Sequence, residues 1–310
     1  MYPFKFESIY LDKVWGGQSL KDYKSNIPEG LIGESWDIST HPVGVSNIKN
    51  GYMRGQDFKK LILEKKESLV GKVCSEGNFP LLVKMISAAD NLSVQVHPDD
   101  IYALRNENSL GKTEAWYILD ADQDAHIILG MKDCSRDEFN DSIKSGVLLD
   151  KMNKIPVASG ELYFVESGLV HAIGSGITLI EIQQSSDITY RVYDYGRGRD
   201  LHVEQALDVI NFSKVGRRTI GETYFDEDTL KINFVRSAFF NIDKLYITDR
   251  YKSKSNPNSF RILTCVDGSG KIFSEKHTDT LRKGESVLIP ASMGEFAVEG
   301  QLDLLDTWID

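Results

Sequence analysis

The sequence predicts a mainly β fold from three observations. Short apolar runs dominate the chain, among them Phe79 to Ile86, Ala115 to Leu119, His126 to Leu129, Leu162 to Val165 and Thr178 to Ile182. Gly, Asn, Asp or Ser fall between them, as tight turns require. Helical periodicity is confined to a few stretches, and strand and helix never alternate regularly enough for a doubly wound sheet.

Each helical stretch has its own reason. Over Asp57 to Val70 the apolar residues Phe58, Leu61, Ile62 and Leu69 fall on one side. Over Ser135 to Leu149, Ser135 and Glu138 have the spacing of a capping box. A third helix is expected near Val203 to Phe212. One internal repeat emerges: Gly160 to His171 aligns without gaps on Gly284 to Glu295, each reading as turn, buried strand and turn. The first copy ends on His and the second on Glu. A duplicated barrel with one live and one vestigial site explains that difference. The turn-like Ser255 to Asn258 fits a loop inside the second barrel, which puts the boundary near Ile232 to Asp243.

Composition narrows the function classes. Of 310 residues, 46 are acidic and 36 basic, a net charge of -10 that argues against binding nucleic acid or anionic lipid broadly. A few local Lys and Arg still suffice for a basic pocket. Cys74, Cys134 and Cys265 are too few and too scattered for a disulfide framework or a Cys-rich metal site. No basic, then apolar, leader opens the sequence, and no window approaches the about 18 apolar residues of a membrane span. A cytoplasmic protein is expected.

The chemistry-bearing residues come in pairs two apart, which share one face of a strand. Gln95 and His97 form one pair, and Lys112 and Glu114 a second. His171 follows a strand and the Ser167-Gly168 turn. Two His, one Glu and a Gln oxygen suit a divalent metal with open positions. Any one of these residues alone reads more simply as a hydrogen-bonded core or surface group.

Taken together they closely resemble type I mannose-6-phosphate isomerase, a zinc-dependent cupin enzyme. The resemblance lies in Pro80 to Ala89 continuing through Leu92 to Pro98, in Gly111-Lys112-Thr113-Glu114, in Gly168 to Ala172 and in Asp187 to Asp194. Val14 to Gly17 and Gly33 to Trp36 are similar as well. It spans residues from about 14 to 212, and the chain is similar in length to the short bacterial form. Thr113 stands where longer members have Pro, and Gly111 where they have His, so no role of that His transfers.

The resemblance implies two cupin-like jelly-roll barrels with a few short helices. Residues 1–235 would form the catalytic domain, and residues 236–310 a second barrel without the metal site. It implies one zinc ion on Gln95, His97, Glu114 and His171, with Lys84, Lys112, Asp187 and Arg191 around a sugar phosphate. The implied activity is aldose–ketose isomerisation of mannose 6-phosphate and fructose 6-phosphate through an enediol. This needs a base and a means of stabilising an oxyanion. Arg191 offers a fixed fork for an anion, with Asp187 four residues earlier to orient it, although a surface ion pair is the simpler reading of those two. Trp15, Trp36 and Trp116 are candidate walls for a sugar, Trp116 reading more simply as core. Gly196 to Arg199 is a flexible basic loop that suits a phosphate neighbour, although a solvated turn is its simpler reading. An iron-type cupin oxygenase and a sugar-binding regulatory module are the rival readings. The ligand set alone fixes neither the metal nor the proton-transfer base, and the sequence assigns no oligomeric state.

Overall fold

The computed structural model describes residues 1–74, 79–227 and 229–310. Antiparallel sheets dominate. One sheet has six strands in the order Ile9–Gly17, Ile32–Ile38, Leu81–Ala88, Ile177–Gln184, Glu114–Ala121 and Leu162–Val165. A second has five, in the order Tyr190–Tyr193, Val94–Val96, His171–Ile173, His126–Met131 and Met152–Pro156. An eight-stranded sheet carries the C-terminal part, starting with Glu222–Asp226 and Thr229–Arg236 and ending with Glu295–Trp308. The mainly β expectation holds. Among the described residues the strands pair as open, facing sheets, an arrangement consistent with the expected cupin fold.

The apolar runs become strands because both faces of the six-stranded sheet are covered, and a strand buried on both faces reads as a continuous apolar stretch. Leu81, Val83, Met85, Ala115, Tyr117, Ile180 and Ile182 pack into one core with Ile262, Leu288 and Leu305 of the C-terminal sheet and with Phe240 and Phe260 just ahead of its strands. Ile86, Ala88, Trp116, Ile118 and Leu179 face the other way, toward Ile127, Leu129 and Ile173 of the five-stranded sheet. The first sheet is therefore the middle layer of the molecule.

The expected helices form as Phe58–Lys65 with Glu67–Val70, as Arg136–Lys144 with Leu148–Lys151, and as Val203–Val209. Asp57 caps the first by accepting the Lys60 N–H, and Ser135 and Glu138 make the complete capping box of the second. A further helix, Asp100–Glu107, has no counterpart in the sequence reading. The repeat is visible in the backbone: Gly160 and Gly284 take φ of +91° and +86° before strands Leu162–Val165 and Ser286–Ile289. His171 and Glu295 each open the next strand, but His171 is buried and Glu295 exposed.

Candidate active site

Two rows of side chains face each other across the gap between the first two sheets. In the six-stranded sheet, register pairs Trp36 with Lys84, Lys84 with Glu181, and Glu181 with Trp116. In the five-stranded sheet, Arg191 pairs with Gln95, and Gln95 with His171. Cross-strand partners point to the same side of a sheet, so each row presents one continuous surface. Between them lies a cavity of ≈ 120 Å³, lined by both rows together with Lys13, Trp15, Glu34, Lys112, Asp187 and Arg199.

At one end His97, Glu114 and His171 bring their ligand atoms together. The His97 and His171 Nε2 atoms are 3.1 Å apart, and Glu114 oxygens lie 3.2 Å from His97 and 3.8 Å from His171. His97 Nδ1–H donates to the Ile188 carbonyl at 2.7 Å, and His171 Nδ1–H to the Leu169 carbonyl at 2.8 Å. A carbonyl only accepts, so each ring carries its proton on Nδ1 and turns a bare Nε2 inward. Burial and the adjacent Lys112 push His97 down to about 3, and burial lowers His171 too, so both rings are neutral at pH 7. Burial alone would raise the Glu114 carboxyl. The Lys112 ammonium outweighs it and holds it well below the usual carboxylate range.

Two bare imidazole nitrogens and a carboxylate, converging in a buried site with the rings fixed from behind, fit a divalent transition metal. Lys112 Nζ sits 3.1 Å from His97 Nε2 and also contacts Glu114 Oε1. Gln95 completes the group, with its amide nitrogen 3.4 Å from His171 Nε2 and its oxygen accepting from the Ser93 hydroxyl at 3.2 Å. A half-turn of the amide presents the oxygen instead, and Ser93 can then accept where it donated. Among the described residues no other group of three or more His, Cys, Asp or Glu side chains converges in this way.

A charge network flanks this end. The Lys84 ammonium lies 3.1 Å from Glu181 and 3.9 Å from Glu34. Burial would lower Lys84, but Glu181, Glu34 and Glu114 outweigh it and raise it above its ordinary value. Burial likewise opposes ionisation of Glu34, yet Lys84, Lys13 and the Trp36 N–H bring it from 4.5 to about 2. Glu181 goes the other way, raised by burial and by Glu114 against the pull of Lys84. Trp116 N–H is shared between Glu114 at 3.1 Å and Glu181 at 3.0 Å, and its ring meets His171 edge-on.

All four residues expected around a sugar phosphate, Lys84, Lys112, Asp187 and Arg191, line the cavity. Their partners differ from expectation in one respect. Arg191 bonds the Ser93 hydroxyl and the Asp200 carbonyl, whereas Asp187, in the loop before the Arg191 strand, faces His41 at 3.5 Å. Trp116 is core, as its simpler reading has it, and also lines the cavity, and Arg199 of the basic turn reaches the cavity too, with Arg197 and Arg199 both held by Asp194. Glu34, Glu181 and Lys13 were missed. The available signal was a charged residue inside an apolar strand, since Glu181 sits in Ile177–Gln184 as Lys84 does in Leu81–Ala88.

Comparison with known proteins agrees with this geometry. Residues 3–126 match the family model "Phosphomannose isomerase type I, catalytic domain", and residues 231–308 match "Mannose-6-phosphate isomerase, cupin domain". The chain is 39% identical to a mannose-6-phosphate isomerase of Streptococcus mutans, over 98% of this chain and 97% of the relative. It is 35% identical to mannose-6-phosphate isomerase ManA of Bacillus subtilis, over 98% of both. The crystal structure of a mannose 6-phosphate isomerase from Bacillus subtilis superposes with a TM-score of 0.92 at 34% identity, over 99% of each chain. A putative mannosephosphate isomerase from Archaeoglobus fulgidus, at 21% identity and a TM-score of 0.79, shares the fold over 99% of this chain and 97% of that one. With matching motifs, fold and buried His–Glu–His group, the chain belongs to the type I mannose-6-phosphate isomerase family.

Proposed function

We propose that the protein interconverts mannose 6-phosphate and fructose 6-phosphate, with a zinc ion held by Gln95, His97, Glu114 and His171. One observation carries this reading: the row that ends on His171 and its bare Nε2 begins on Arg191, so metal donors and an anion-binding fork share one cavity. Bound there, the metal would polarise the sugar carbonyl and stabilise the negative charge that develops on its oxygen.

The chain's own groups divide the remaining work. Arg191 and Arg199 bind the phosphate, and the apolar faces of Trp15 and Trp36 flank the sugar. Isomerisation from the aldose takes a proton from C2, puts one on O1 to give the enediol, removes one from O2 and returns one to C1. Lys84, kept charged by Glu181 and Glu34, donates a hydrogen bond to a sugar oxygen and is no base. Arg191 also remains a cation. Of the four candidates, Lys112 and Asp187 are left to move the proton. Catalysis resides in residues 1–235, with 236–310 supporting the back of the six-stranded sheet.

The test is a coupled assay on mannose 6-phosphate and other 6-phosphorylated aldoses, with oxygen uptake and metal content measured on the same sample. Fructose 6-phosphate formed without oxygen uptake is expected. Oxygen consumption would indicate a cupin oxygenase, and sugar-phosphate binding without turnover a regulatory module.

A further inference from the structure

We propose that His41 is a positioning residue for Asp187 and so sets the carboxylate at the rim of the cavity; this rests on the isomerase reading above. His41 lies in the hairpin formed by Thr40–His41 and Gly44–Val45, just after the strand that carries Glu34 and Trp36. Its Nδ1 accepts the Val43 N–H at 3.3 Å. That bond leaves the ring proton on Nε2, which faces Asp187 Oδ1 at 3.5 Å. The ring is fixed further by an edge contact with Trp36 and is 12% exposed, whereas Asp187 is 53% exposed. A fixed donor therefore meets a carboxylate that has no other side-chain partner among the described residues. The gap of 3.5 Å is longer than a good hydrogen bond, and such contacts close when substrate binds.

The consequence reaches beyond one carboxylate. The next residue, Ile188, supplies the carbonyl that holds His97 Nδ1. On the other side Ser186 is tied to the Leu110 carbonyl. Asp187 is the member of this short loop that solvent can pull away, and His41 is the side chain placed to retain it. Burial lowers the His41 pKa, with Lys84 and Lys59 adding to it against Asp187, so the partner is a neutral N–H donor at pH 7.

The test combines a mutant cycle with a readout that needs no turnover. His41→Phe keeps the ring against Trp36 and removes the donor, and His41→Gln restores an N–H. With zinc-loaded protein, His41→Phe should lower kcat/KM about tenfold, the scale of a direct coupling. It should cost less than about twofold in an Asp187→Asn background, and His41→Gln should recover most of the loss. Equal costs in both backgrounds would overturn the proposal. Independently, imidazole NMR should show the His41 pKa fall in Asp187→Asn, and an unchanged titration would overturn it even in a protein without isomerase activity. Absence of isomerase activity in the unmutated protein would instead refute the isomerase reading.

Discussion

Replacing Lys84 by Met tests the charge network that shapes the cavity. The ammonium lies 3.1 Å from Glu181 and 3.9 Å from Glu34, with 6% of the side chain exposed. At an effective dielectric of about 20 those contacts are worth ~5 and ~4 kcal/mol, against several kcal/mol for desolvating the ammonium. Glu34 keeps Lys13 at 3.0 Å, but Glu181 loses the cation that stabilises its charge. The expected loss at pH 7 is about 3–5 kcal/mol, the size found when one partner of a buried pair is removed. Adding Glu181→Gln removes the stranded charge and should return at least ~2 kcal/mol. pH gives a second handle. The Glu181 pKa is already raised in the folded protein and rises further in Lys84→Met, so its native state binds more protons than the unfolded one. The deficit is then absent below the unfolded value of about 4.3 and grows as pH rises through the folded value. Urea unfolding followed by tryptophan fluorescence, at several pH values, measures all of this, because Trp36 and Trp116 adjoin the network. A Lys84→Met protein as stable as the parent at pH 7, or a double variant no better than the single one, would refute the reasoning.

Glu34→Gln should destabilise the protein by about 3 kcal/mol at pH 7, the equivalent of a shift from 4.5 to about 2. Because that pKa is depressed, the contribution is present above the unfolded value and lost as pH falls to about 2, so parent and variant should converge in acid unfolding curves. Arg191→Lys exchanges a planar fork for a point charge and should raise KM for the sugar phosphate about 10-fold or more while leaving metal content intact, which steady-state kinetics and elemental analysis check. Lys112→Ala should nearly eliminate turnover with zinc retained; unchanged turnover would remove Lys112 from the mechanism. His171→Ala should lose the metal itself, and elemental analysis after dialysis finding one zinc per chain would contradict its role as a ligand.

The strands were legible because they are covered on both faces, which leaves a near-continuous apolar signature in the sequence. The Asp100–Glu107 helix was not, because Ile101 and Leu104 are 72% and 68% exposed, and the segment has no apolar stripe to reveal it. Asp99, whose side chain caps it by accepting the Tyr102 N–H, was the one local signal. The metal-facing residues were readable from spacing and resemblance, since Gln95 and His97, or Lys112 and Glu114, are two apart, although His97 lies just past the strand Val94–Val96 and Lys112 just before the strand Glu114–Ala121. Glu181 and Glu34 gain their meaning only from register, which sets Lys84 opposite Glu181 across residues 97 positions apart. The same holds for Asp187, whose neighbour His41 comes from a hairpin far earlier in the chain. Spacing along one strand carries no information about such cross-strand meetings.

The most direct test of the whole account is a metal titration. Protein stripped by a chelator and shown to be metal-free is given zinc in steps while conversion of mannose 6-phosphate to fructose 6-phosphate is followed. The account predicts no turnover without metal and a linear return of activity that ends at one zinc per chain. Full turnover by the metal-free protein would contradict it.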